Sequence, residues 1–192
     1  MVSYLATEGV FADLGRMMGI PVRASSQPDE NWPEDHGALV QDFNDLFAVP
    51  LGRYVTPYES VFQDEREIDG VRIQGLLVGE ATLDVMRLYR EAGAAIGKDY
   101  LDLPDNVGLE FAFMEFLCRR EQETRGEGGA SQLPEVLMLQ RRFLEDHLAR
   151  WVPQLCDRIL ENAQTAFYKT IASLAQAFIY SEEKTLKQAL AS

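Results

Sequence analysis

"LPDNVGLEFAFMEFL", residues 103–117, is the stretch that decides the fold. Pro104 disfavours helix just before it, and the residues from Val107 onward are almost wholly apolar. Val107, Phe111, Met114 and Cys118 step by three and four along one helical face, while Leu109, Phe113, Phe116 and Leu117 cover most of the rest. A helix that is apolar all round belongs at the centre of its domain. Two carboxylates interrupt it. Asp105 is placed to be the N-cap, accepting from the orphan amides of the turn after it. Glu110, one turn in, gains from the positive helix end, and Glu115 lies about 140° further around the axis at ~100° per residue. A carboxylate on so buried a helix needs a hydrogen-bond partner.

Helical spacing continues on both sides. Upstream, Phe11, Leu14 and Met18 mark a helix stopped by Gly19 and Pro21, and 22–35 is a polar loop. Leu39, Val40, Phe43, Leu46 and Phe47 predict a second helix ending before Pro50. "TPYESVF" (56–62) predicts a short helical turn with Pro57 at its first position. Residues 64–79 are ambiguous: Asp69-Gly70 suits a hairpin, but two isolated strands are poorly supported in a helical chain, so a loop is expected. Thr82, Met86, Tyr89 and Gly93 then share a helix face running out near Gly97.

Downstream, "RGEGGASQ" (125–132) has linker composition. Leu137, Leu144, Leu148 and Trp151 line a helix expected to stop before Pro153. Leu155, Ile159, Ala163, Phe167, Ile171, Leu174 and Phe178 extend the stripe, with a break near Asn162 and a last helix over about 182–190. No repeat period emerges. The expected architecture is an all-α globule.

Composition excludes several function classes. The chain has 192 residues, of which 46% are apolar, which suits one folded domain. No apolar run approaches the roughly 20 residues of a membrane span. Glu8 and Asp13 stand where a signal peptide would be apolar, so a cytoplasmic protein with no membrane insertion is expected. Acidic residues number 31 against 18 basic, a net charge of −13, which argues against a nucleic-acid partner. The cysteines are Cys118 and Cys156 and the histidines His36 and His147, without the close spacing of a metal site. No metal or cofactor is expected, and Cys118, ending an apolar face, reads as a buried free thiol.

Catalytic motifs are missing: there is no Gly-rich phosphate loop, no H-E-x-x-H and no G-x-S-x-G. His147 and Trp151 share a face at a spacing of four, which reads as a histidine packed under a tryptophan rather than as a base. Ser60 has no histidine near it in sequence, and its hydroxyl reads as a turn cap. An enzyme is not expected. The alternatives are a small helical enzyme or nucleotide-binding regulator using Asp105 and His147, and an acidic scaffold that binds through an apolar face.

Four stretches, in order and spacing, carry a family likeness: "FNDLFAVPLGRYVTPYESVF" (43–62), the opening segment, "FLEDHLARWVPQL" (143–155) and "AFYKTIASLAQAF" (166–178). Together they resemble the TorD/DmsD/NarJ family, chaperones of molybdenum-containing redox enzymes. The resemblance implies a larger N-terminal part (1–124) joined through a hinge (125–132) to a smaller C-terminal part (133–192). It implies a cytoplasmic chaperone that binds the twin-arginine signal peptide and apo catalytic subunit of its client, assists cofactor insertion and delays export. The family's Y-E-S falls on Tyr58, Glu59 and Ser60, and its P-D-H on Pro104, Asp105 and Asn106, so the family's histidine is an asparagine here. Its H-L-x-x-W-x-P is intact as His147, Leu148, Trp151 and Pro153. The expected peptide-binding set is Tyr58, Glu59, Ser60, Phe62, Pro104, Asp105, Asn106, Glu110, His147 and Trp151. The chemistry is consistent: paired guanidinium groups with an apolar stretch after them need carboxylates beside an apolar surface. A monomer is expected, with a domain-swapped dimer open to it through the linker.

Overall fold

The computed structural model describes residues 36–63, 66–68, 71–73, 75–126 and 131–190; the helix expected over 11–18 and the loop at 22–35 lie outside them. The described chain is all-α apart from one small hairpin. Its elements are α1 (His36–Phe43), α2 (Glu59–Gln63), β1 (Arg66–Ile68), β2 (Val71–Ile73), α3 (Glu80–Glu91), α4 (Val107–Gly126), α5 (Leu133–Phe143), α6 (Ala149–Asn162) and α7 (Ala166–Ala189). Two wide π turns, Asn44–Ala48 and Leu144–Leu148, continue α1 and join α5 to α6.

These elements form two compact units. One holds the described residues of 36–55 with Cys156–Ser181, the other Thr56–Leu155 with the chain from Glu182. The segment expected as a hinge, 125–132, connects α4 to α5 inside the second unit, and 127–130 of it lie outside the described residues.

The first unit is organised by an aspartate. Asp42 is 2% exposed and accepts hydrogen bonds from Thr165 N (2.9 Å), Thr165 Oγ1 (2.6 Å) and Gln164 N (3.1 Å), capping α7. Arg53 Nη1 pairs with it at 2.6 Å. Burial pushes its carboxyl up, but these bonds outweigh burial and hold it below the usual range.

In the second unit α4 packs on α5, α3 on α5 and α2 on α3. The buried stripe of α4 is Glu110, Phe113, Met114 and Leu117. Phe113 meets Tyr89 at 4.5 Å between ring centroids and Phe143, edge to face, at 4.7 Å, the tilted geometries that aromatic quadrupoles favour.

Several sequence expectations are corrected. Residues 66–68 and 71–73 form an antiparallel hairpin pairing Arg66 with Ile73 and Ile68 with Val71, where a loop was expected. The pair is not isolated, because Gly75 N donates to Val61 O at 3.0 Å and ties its exit to α2. α2 begins at Glu59, two residues beyond Pro57. α3 ends at Glu91 rather than near Gly97, because Gly93 adopts φ +72°, a left-handed turn that terminates a helix. Its buried face is Thr82, Val85, Leu88 and Tyr89, and Met86 is exposed.

Pro153 does not stop its helix but sits inside α6. The π turn directly upstream closes with Ala149 N bonded to Leu144 O, five residues back, so the ladder is already offset before the missing donor. Finally, α7 runs unbroken to Ala189, so no separate helix begins at 182.

Candidate functional site

The site is built where α2, the N-terminus of α4 and the α5–α6 junction meet in the second unit. The turn before α4 is held to the turn before α2 by backbone: Glu59 N donates to Asp105 O at 3.0 Å, Val107 N to Pro57 O at 3.0 Å, and Tyr58 bridges Asn106. That pairing fixes which side chains meet.

Asp105 does not cap its own helix. Its Oδ2 accepts from Ser60 N at 3.0 Å, so it caps α2 across 45 residues of sequence. The N-cap of α4 is Asn106, whose Oδ1 accepts from Gly108 N at 2.8 Å. The reason is local: Asn106 lies one residue nearer the first helical position, Val107, and Asp105 is drawn to the α2 amide by the backbone pairing beside it. Ser60 contributes its amide; its buried hydroxyl has no hydrogen-bond partner.

Glu59, Glu110, His147 and Trp151 form the buried centre, at 0%, 0%, 2% and 0% exposure. His147 Nδ1 lies 2.9 Å from Glu59 Oε2 and 3.1 Å from Oε1. A carboxylate only accepts, so Nδ1 carries the proton and Nε2 is left on the side of Asp84, buried and without a hydrogen-bond partner. Trp151 Nε1 donates to Glu110 Oε2 at 3.0 Å. Burial first, then the charge of Glu59, pushes the Glu110 carboxyl well above the ordinary range. Its other oxygen has no partner while ionised, and a proton there gives it a hydrogen bond to Glu59. Its surroundings thus favour the neutral acid, which joins the indole to the Glu59–His147 pair. The aromatic walls are Phe62, 5.4 Å from Trp151, and Phe143, stacked on His147 at 5.3 Å. His147 thus packs on Phe143 rather than under Trp151.

All ten expected residues, Tyr58, Glu59, Ser60, Phe62, Pro104, Asp105, Asn106, Glu110, His147 and Trp151, stand in this one cluster. Most are buried. Tyr58, Pro104 and Asn106 are half-buried at its edge, where Tyr58 Oη and Asn106 Nδ2 both donate to Asp102, at 2.8 and 3.0 Å. Glu115 is elsewhere, exposed and paired with Arg119.

Beyond the cluster lies a feature that the sequence did not suggest. A cleft of about 480 Å³ is lined by Gln63, Glu80, Ala81, Leu83, Asp84, Arg87, Asp146, His147 and Arg150. His147 Nε2 lies 3.5 Å from Asp84 Oδ2 without a hydrogen bond. Arg87 pairs with Asp84 Oδ1 at 2.5 Å and Arg150 with Asp146 at 3.1 Å. Just before α3, Leu76, Leu77 and Val78 are 81%, 54% and 59% exposed, and Val78 has φ +64°. Glu80 and Asp84, one helical turn apart on the polar face of α3, were the available signal for this cleft.

Among the described residues no helix is long and apolar enough to cross a membrane, and no three His, Cys, Asp or Glu side chains are arranged to hold a metal ion. Both cysteines are free thiols; burial pushes Cys118, half-buried, to about 11 and Cys156 to about 12.

Three known proteins similar to this chain in sequence are chaperones by name. The chain is 26% identical over 150 residues to the chaperone protein TorD of Vibrio cholerae serotype O1, covering 78% of this chain and 63% of that one. It is 28% identical over 112 residues to the perchlorate reductase assembly chaperone of Dechloromonas aromatica, covering 58% and 49%. With the selenate reductase assembly chaperone of Thauera selenatis it shares 25% identity over 179 residues, 91% and 84% of the two chains. This chain thus spans less than two thirds of the length of the TorD chaperone. Residues 6–157 match the profile of the nitrate reductase delta subunit family, and with most of its length so matched the chain belongs to that family.

Proposed function

We propose that this chain is a cytoplasmic maturation chaperone that binds the twin-arginine signal peptide and apo catalytic subunit of a molybdenum-containing oxidoreductase, assists cofactor insertion and delays export. One observation carries the peptide-binding part. In the second unit three exposed apolar residues, Leu76, Leu77 and Val78, run straight into the acidic first turns of α3, with Glu80 and Asp84. A leader that presents guanidinium groups and then an apolar stretch is the complement of that surface. The names of the relatives, assembly chaperones of reductases, support the same role.

On this reading the buried set of Glu59, Ser60, Phe62, Asp105, Glu110, His147 and Trp151 holds the binding surface in shape. Tyr58, Pro104 and Asn106, at its half-buried edge, are its accessible members. Calorimetry with a leader peptide and its double-alanine variant tests the reading. The intact leader should bind with a Kd of about 1 μM, or about −8 kcal/mol, and the alanine variant clearly more weakly. Equal affinity for both removes recognition of the arginines.

A further inference from the structure

We propose that the cleft over His147 is a subsite for a single guanidinium group, held between Asp84 Oδ2 and His147 Nε2; this rests on the peptide-binding reading above. Acids alone do not make a site. The decisive observation is a buried imidazole nitrogen that has no hydrogen-bond partner and belongs to a residue lining the cleft. Such a group is costly to leave unmade, and the fold holds it there deliberately: Glu59 takes the proton-bearing Nδ1 at 2.9 Å, and Phe143 stacks on the ring. In the neutral ring this leaves Nε2 as an acceptor on the side of Asp84, which also lines the cleft.

Asp84 supplies the second acceptor. Its Oδ1 is held by Arg87, while Oδ2 lies 3.5 Å from Nε2 with no bond between them. Two acceptors side by side match one edge of a planar guanidinium, whose paired N–H groups point the same way. Arg87, itself a guanidinium on the other oxygen, shows that this carboxylate accepts such a group. Glu80, on the same polar face of α3, adds negative charge to the cleft wall. A lysine ammonium is a point charge without a planar edge and fits the pair less well. The subsite therefore reads arginine in preference to lysine.

The test is calorimetry of the full chain with a paired-arginine leader and its paired-lysine counterpart. Wild type should prefer arginine by about tenfold or more, the scale of one hydrogen bond to a charged group. His147→Asn keeps an N–H for Glu59 and deletes the nitrogen on the side of Asp84, so the two peptides should then bind nearly alike. Asp84→Asn, at a partly exposed position, should do the same and decides alone if the His147 variant does not fold. Glu115→Gln, which removes an exposed acid of α4, should leave the preference intact. A full arginine preference in Asp84→Asn overturns the subsite, as does equal binding of both peptides to wild type. A leader that does not bind wild type at all overturns the functional reading and the subsite together.

Discussion

Glu110 shows what one buried proton does. Its folded-state carboxyl is raised, so the folded chain holds a proton that the unfolded chain gives up near pH 4.3. Stability from this group is complete below that pH and falls as pH rises, by up to about 1.4 kcal/mol per unit until the folded group also ionises. Glu110→Gln stays neutral and keeps both an acceptor for Trp151 and a donor for Glu59. It should match wild type in melts near pH 4 and exceed it increasingly toward pH 8; parallel curves would show that Glu110 is not protonated when folded. Asp105 makes a second case. Asp105→Asn retains an oxygen for Ser60 N and should melt near wild type, whereas Asp105→Ala should lose about 1 kcal/mol or more in denaturant titrations, the cost of a lost cap. At 0% exposure, Asp105 would act on the proposed peptide only through the α2 that it caps. The sequence made Asp105 a cap but misjudged which helix, because the partner amide lies 45 residues away and only the backbone pairing of 58 with 106 brings it near.

At the scale of elements, periodicity located the helices well and their ends less well. The greasy run at 103–117 led directly to the central helix, because an apolar face all round leaves few alternatives. What it hid was Glu110: the buried stripe runs through the carboxylate itself, and Phe111 is only half-buried. Pro153 misled because a proline was weighed without the wide turn that precedes it, and such a turn leaves no mark in residue spacing. The loop before α3 holds a further consequence of backbone geometry. Val78 has φ +64°, a left-handed conformation that costs a β-branched residue roughly 1–2 kcal/mol. Strain of this kind gathers at binding surfaces. Val78→Gly relieves it, against an entropic loss of roughly 0.5–1 kcal/mol. The variant should therefore be at least as stable as wild type by thermal melt, yet bind the leader more weakly in calorimetry. A drop in melting temperature with unchanged affinity would make Val78 a packing residue only.

For the molecule as a whole, a charge of −13 favours rapid encounter with a basic leader. The association rate measured by stopped flow should fall as salt rises toward physiological strength, where screening sets in at about 8 Å. A flat rate would leave the apolar surface as the sole attraction. The two units were not legible in the sequence, where "RGEGGASQ" was the one stretch of linker composition. The chain passes between units after Val55, after Leu155 and after Ser181, and the last two crossings fall inside α6 and α7. No single cut releases either unit. This threading sets an order of events on the ribosome. Thr56–Leu155, nearly all of one unit, is available to fold while translation continues. Residues 36–55, made earlier, must wait for Cys156–Ser181 before Asp42 finds the amides of Gln164 and Thr165 that it caps. At about 5–20 residues per second, that delay is on the order of five to twenty seconds, during which a newborn protein of a chaperone family has apolar surface of its own to be kept from other chains.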